Sequence, residues 1–199
     1  MKSENKYIGD DKFKKFLEHY ACPTPIEVVK LRFVGAICSP NAELRPTDVI
    51  ASLWKDNKAP RLETKNEADL FFKFFMGLWD EMFETVLDNG VNLPPFPVDS
   101  DLPQVCTERF EQLEFGFVEG FFGGREDLKI PAYIAEVVDS LSRMALLYKT
   151  LAQKAATEEK RKNITDAVID CDKMAEKSIC FLIEHYVLPH IDELKRTVN

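Results

Sequence analysis

The sequence is poor in the features that mark metal centres, membrane spans and nucleic-acid grooves. Its five cysteines, Cys22, Cys38, Cys106, Cys171 and Cys180, form neither a CxC nor a CxxC pair. Ligand spacing for a structural zinc is missing, so neither metal nor cofactor is expected. An odd number of scattered thiols reads as free cysteine in a reducing compartment. No stretch approaches the roughly 18–20 apolar residues of a membrane-spanning helix. The opening residues, MKSENKYIGDDKFKKF, lack the apolar core of a secretory signal. Together these traits predict a cytoplasmic protein with no membrane association. Cations are also scarce: 26 Lys and Arg stand against 34 Asp and Glu, for a net charge of −8. That balance disfavours direct binding to nucleic acid, whose phosphates require clustered Lys and Arg.

What is present is helical. With 199 residues, 45% of them hydrophobic, the chain is long enough to bury a core without staples, and 15 phenylalanines predict an aromatic one. Residues 10–21 place Phe13, Phe16, Leu17 and Tyr20 on one face. TPIE predicts a second helix to about Cys38, with Thr24 as N-cap, Pro25 in the first position and Glu27 closing a capping box. A short helix ends near Trp54. A second capping box, Thr64 to Glu67, opens a long helix that stops at DNG, with Gly90 expected just beyond its C-cap. After the proline-rich connector LPPFPVDSDLP, helices are predicted at about 107–122, 131–155 and 158–188, the last interrupted at Pro189. No strand pattern or repeat is evident. The fold class is all-α, about seven helices in a compact bundle-like array. Residues 1–199 read as one helical domain, in which GGREDLKIP could join a five-helix unit (1–124) to a C-terminal helical pair (125–199).

Glycine is sparse, yet four of the eight glycines fall within FGFVEGFFGG, residues 115–124, beside four phenylalanines. At 100° per residue Phe110, Leu113, Phe117 and Phe121 share a face, Gly116 and Gly120 run along its flank, and Gln112 and Glu119 point away. Four glutamates nearby exclude a membrane helix, and no GxGxxG or GK[ST] supports a phosphate loop. Glycines four apart instead predict a helix crossing where two backbones nearly touch, or a groove for a partner.

The order of segments RFVGAICSPNAELRPTDVIASLW (32–54), APRLETKNEADLFFKFFMGLWDEMFETVL (59–87) and FGFVEGFFGG resembles the bacterial YecA/YgfB-like family over about residues 10–125. Phe115 stands where that family carries tryptophan, and Ser39-Pro40 stands where Gly-Pro is usual. The chain ends DELKRTVN, without the cysteine-rich metal-binding tail of many members. The resemblance implies a helical fold and no assigned reaction.

Candidate chemistry is thin. Cys106, expected just before a helix start, would gain a lowered thiol pKa there, but nothing brings His19, His185 or His190 to it as a base. EHYVLPH, with Glu184, His185 and His190, matches neither HExxH nor a repeated ExxH. No catalytic residue is assigned. On the helix at 65–88 the apolar positions, Phe71, Phe72, Phe74, Phe75, Leu78, Trp79, Met82 and Phe83 among them, cover more than half the circumference. Burial between two layers explains this; alternatively an edge around Phe74 or Trp79 forms a subunit or partner interface. The expected function is that of a non-enzymatic interaction or adaptor protein, with Phe74, Trp79, Gly116 and Gly120 as candidate contact residues and a homodimer as one arrangement. A small-ligand pocket or unrecognised enzyme is the alternative.

Overall fold

The computed structural model describes residues 6–97, 99–125, 127–155 and 161–191. Among them the chain is all-helical, without strands. The helices are α1 (Asp10–His19), α2 (Ile26–Ile37), α3 (Pro46–Ala51), α4 (Lys65–Leu87), α5 (Leu102–Glu111), α6 (Glu119–Phe122), α7 (Ala132–Lys154) and α8 (Arg161–Leu182). A π-helical segment, Gln112–Val118, joins α5 to α6 as one rod, and a second, Ile183–Val187, extends α8.

Two apolar clusters share α2. Its Val29, Phe33 and Ala36 meet Phe13, Phe16, Phe71, Phe75 and Leu78 from α1 and α4. Its Leu31, Val34 and Cys38 face Leu113, Phe117 and Phe121, and behind these lie α7 and α8. The first cluster is dense in edge-to-face aromatic contacts, such as Phe13 on Phe75 at 5.3 Å and Phe16 on Phe74 at 5.2 Å. α7 packs on α5, on the first π segment and on α8.

Several boundaries differ from expectation for identifiable reasons. α2 begins at Ile26 with Pro25 as its N-cap, and Thr24 is no capping residue: its hydroxyl donates to the Leu53 carbonyl at 2.7 Å. α4 does start as expected, the Thr64 hydroxyl accepting from the Glu67 amide at 3.1 Å. It ends one residue earlier than Gly90 implies, because Asn89 takes the left-handed conformation (φ 51°). The amides of Asn89 and Gly90 then bond back to Val86 and Thr85, a Schellman ending. α5 starts at Leu102 rather than 107, with Pro103 tolerated in the first turn, where its missing N–H costs nothing. Pro189 does not break its helix. The π segment before it widens the turn that would clash with the pyrrolidine ring, and residues 188–191 remain helical. Residues 158–160 of the expected last helix lie outside the described residues.

Candidate functional site

Gly116 and Gly120 lie where the π segment and α6 cross α2. A Cβ added to Gly120 would overlap the Arg32 carbonyl oxygen, and one added to Gly116 would stand 3.0 Å from Leu31 Cβ. On the facing helix Gly35 is equally tight, since its Cβ would overlap the Phe117 carbonyl. Both sides of the crossing therefore require glycine, and Gly35 was not among the sequence candidates. Its signal was present, a lone glycine within an apolar helix. All three glycines are buried by contacts within the chain.

In and beside the π segment Leu113, Phe117 and Phe121 are buried on one face as expected, and one neighbour departs from expectation. Gln112 is buried rather than turned away, its side chain accepting from Arg109, and Phe115 is 42% exposed. Glu119 points outward as expected, its side chain 52% exposed, and reaches back to pair with Arg32. Arg32 is only 6% exposed. Its Nε donates to the Phe115 carbonyl at 2.8 Å, and a terminal nitrogen donates to the Ser52 carbonyl at 2.7 Å. The other terminal nitrogen donates to Phe115 O and to the Glu119 carboxylate. Burial raises the Glu119 carboxyl above its ordinary range, and the adjacent Arg32 charge opposes that rise.

Around this pair opens a cleft of about 320 Å³. Pro23, Pro25, Val28, Leu53, Trp54 and Phe115 supply apolar walls; Arg32, Ser52, Lys55, Glu111 and Glu119 supply polar groups. Trp54 is held by its indole N–H, which donates to the Tyr20 carbonyl at 3.2 Å.

A second buried polar cluster ties the α4–α5 connector to the C-terminal helices. Arg109, 3% exposed, donates to Asp172 at 3.0 Å, to the Gln112 side chain at 2.8 Å and to the Pro94 carbonyl. The Tyr148 hydroxyl donates to the same Asp172 at 2.5 Å, and burial drives its pKa upward. Cys106 lies inside α5, not at its N-terminus. Burial, aided by the Asp172 charge, pushes its thiol up to about 11, the opposite of nucleophile activation. His19, His185 and His190 each lie against an aromatic ring of their own helical segment, Tyr20, Phe181 and Tyr186. Among the described residues no group of three or more His, Cys, Asp or Glu is placed to hold a metal, and no helix is long and apolar enough to cross a membrane.

On α4, Phe74 and Trp79 occupy opposite flanks. Phe74 packs on Phe16; Trp79 packs on Phe33 at 5.2 Å, and both are half-buried. The helix is not enclosed between two layers. Phe71, Phe75, Leu78 and Val86 face the core, while Phe72 and Phe83 are 39% and 38% exposed. With Met76 and Trp79 they form a seam along one side, Phe72–Met76–Trp79–Phe83, in which Phe72 and Phe83 are the most open members. No family model, curated protein or solved structure matches the chain.

Proposed function

We propose that this chain is a protein-interaction or adaptor protein, a YecA/YgfB-like helical protein whose contact surface is the α4 seam. The observation that carries the reading is the seam itself. Aromatic and methionine side chains recur four, three and four residues apart on a helix flank, with its two terminal phenylalanines more than a third exposed. That is the spacing with which one helix receives another, and aromatic residues and methionine are enriched at interfaces. Trp79, anchored on Phe33, gives the seam a rigid middle. Support for the family comes from the order of the three sequence segments.

The test is retention of a binding partner by the tagged full chain and by Phe72→Ser/Phe83→Ser. A stoichiometric protein held by the wild type and lost by the variant is the expected result. Equal retention by both would remove α4 from the interaction.

A small-ligand role is favoured by one separate observation, the cleft beside Arg32 and Glu119. Its volume and its mix of apolar walls with few polar groups resemble those of ligand sites. A small molecule that co-purifies with the chain and is lost in Phe115→Asp, with the partner retained, would select this reading.

A further inference from the structure

We propose that the cleft beside Arg32 takes an organic cation, an ammonium group on an apolar body. This deepens the small-ligand reading above, on which it rests, by naming the chemistry of the ligand. A guanidinium carries five N–H donors. Arg32 makes five hydrogen bonds, all within the chain: two to the Phe115 carbonyl, one each to the Ser52 carbonyl and hydroxyl, and one to Glu119. Nothing of Arg32 is left for an anion. The other donors of the lining are spent likewise. The Ser52 hydroxyl donates to the Val49 carbonyl at 2.8 Å, the Thr24 hydroxyl to the Leu53 carbonyl and the Trp54 indole to the Tyr20 carbonyl. Pro23 and Pro25 have no N–H to offer.

The acceptors are not spent. Glu111, half-buried in the lining, has no partner among the described residues, and Glu119 gives Arg32 only one of its carboxylate oxygens. Four charged side chains line the cleft, two of each sign, and Arg32 and Glu119 neutralise each other. Burial separates the remaining two. Lys55 is exposed, so its ammonium keeps its water, whereas the Glu111 carboxylate is partly withdrawn from water with nothing in exchange. The positive end of α2, which also borders the cleft, is met by its own first-turn Glu27. A cation is therefore the charge that the cleft stabilises. Trp54 and Phe115 add aromatic rings, which attract cations, and Pro25, Val28 and Leu53 give an apolar body its walls.

The experiment is calorimetric titration of the full chain with three compounds of one shape and different charge: phenethylammonium, the neutral phenethyl alcohol and the anionic hydrocinnamate. The ammonium should bind about tenfold more tightly than the alcohol, and the carboxylate most weakly. Glu111→Gln, which removes the charge and keeps the shape, should bring the ammonium down to the alcohol's affinity. It should leave the alcohol's affinity and the unfolding midpoint unchanged. Lys55→Gln should tighten the ammonium a few-fold; a loosening would assign the site to another charge and overturn the proposal. An alcohol or carboxylate bound as tightly as the ammonium would overturn the cation and leave the small-ligand reading standing. An ammonium preference untouched by Glu111→Gln would place the cation elsewhere and overturn the proposal. Binding of none of the three at millimolar concentration would remove the cleft as a ligand site, and both readings with it.

Discussion

The guanidinium of Arg32 donates to the main-chain carbonyl of Phe115, which lies within a π-helical turn on the other side of the helix crossing. The same residue's own carbonyl is the atom that Gly120 must make room for. One side chain and one main-chain group of Arg32 thus hold the crossing together, and the cleft opens at its edge.

Replacing Arg32 should therefore be costly. Arg32→Met leaves the Ser52 and Phe115 carbonyls and the Glu119 carboxylate without their donor. The expected loss is about 2–3 kcal/mol, since buried carbonyls lose their donor while the half-exposed Glu119 carboxylate returns to water. Arg32→Lys keeps the charge but cannot span three acceptors with one ammonium, and should lose part of that amount. Urea unfolding of the three proteins measures both, and a loss below about 1 kcal/mol for Arg32→Met would show that Arg32 does not hold the crossing.

At the glycines, the clash differs by position. Gly120→Ala meets backbone, which cannot swing aside, and should destabilise by roughly 3 kcal/mol or more; Gly120→Leu should be worse still. Gly116→Ala meets Leu31 Cβ at 3.0 Å and the Val28 carbonyl at 3.2 Å, and should cost about 1 kcal/mol. Were Gly120→Ala instead to stabilise, as alanine does at open helix positions by up to about 1 kcal/mol, the crossing would be looser than described. Denaturant midpoints of the three variants rank them directly.

Ala21 offers a gain. It follows α1 in the left-handed conformation, φ 47°, and the amides of Ala21 and Cys22 bond back to Glu18 and Leu17. Alanine pays a steric cost in that conformation that glycine does not. Ala21 is exposed, so Ala21→Gly loses little packing and should raise stability by about 1 kcal/mol. A thermal-unfolding midpoint equal to or below the wild-type value would count against this ending for α1.

The legible part of the fold was the part governed by local pattern. Thr64 and Glu67 marked the start of α4, and Phe13, Phe16 and Leu17 marked the inner face of α1, because caps and helical periodicity are read from a few neighbouring residues. The π segment was illegible, since no short-range signal announces a wide turn. Gln112, expected to point away, turns inward beside it to accept from Arg109, a distant partner the sequence does not announce. Arg32 was missed for a related reason: its acceptors Ser52, Phe115 and Glu119 lie far off in sequence, and an arginine in an apolar helix carries no mark of where its partners are. Trp79 was a sequence candidate beside Phe74, but its seam with Phe72, Met76 and Phe83 emerged only when the two were placed on opposite flanks of α4.

A pH dependence follows at α1. Asp10 accepts from the Lys30 ammonium at 2.6 Å and from the Tyr7 hydroxyl at 2.7 Å. Partial burial favours its neutral form, but these two hydrogen bonds outweigh it and hold the carboxyl below its ordinary value. A depressed folded pKa gives stability that is complete above the unfolded value, about pH 4, and is lost as pH falls through the folded one. Asp10→Asn should therefore destabilise at pH 7 and progressively less below pH 4. Unfolding free energies at a series of pH values check this; a penalty constant with pH would assign the effect to packing alone.

The shared position of α2 has a consequence for synthesis. The aromatic cluster needs nothing beyond Leu78 in its buried set, whereas Arg32 finds its acceptor across the crossing, the Phe115 carbonyl, only after 83 further residues. At roughly 5–20 residues per second, about 4–17 s pass between the emergence of Arg32 and that of Phe115. Through that interval α2 can be covered on one side only, and the Arg32 guanidinium has the Ser52 carbonyl but not the Phe115 carbonyl to bond. The nascent chain thus has an order imposed on it: the phenylalanine-rich half can close while the second half is still being made, and the glycine crossing is sealed afterwards.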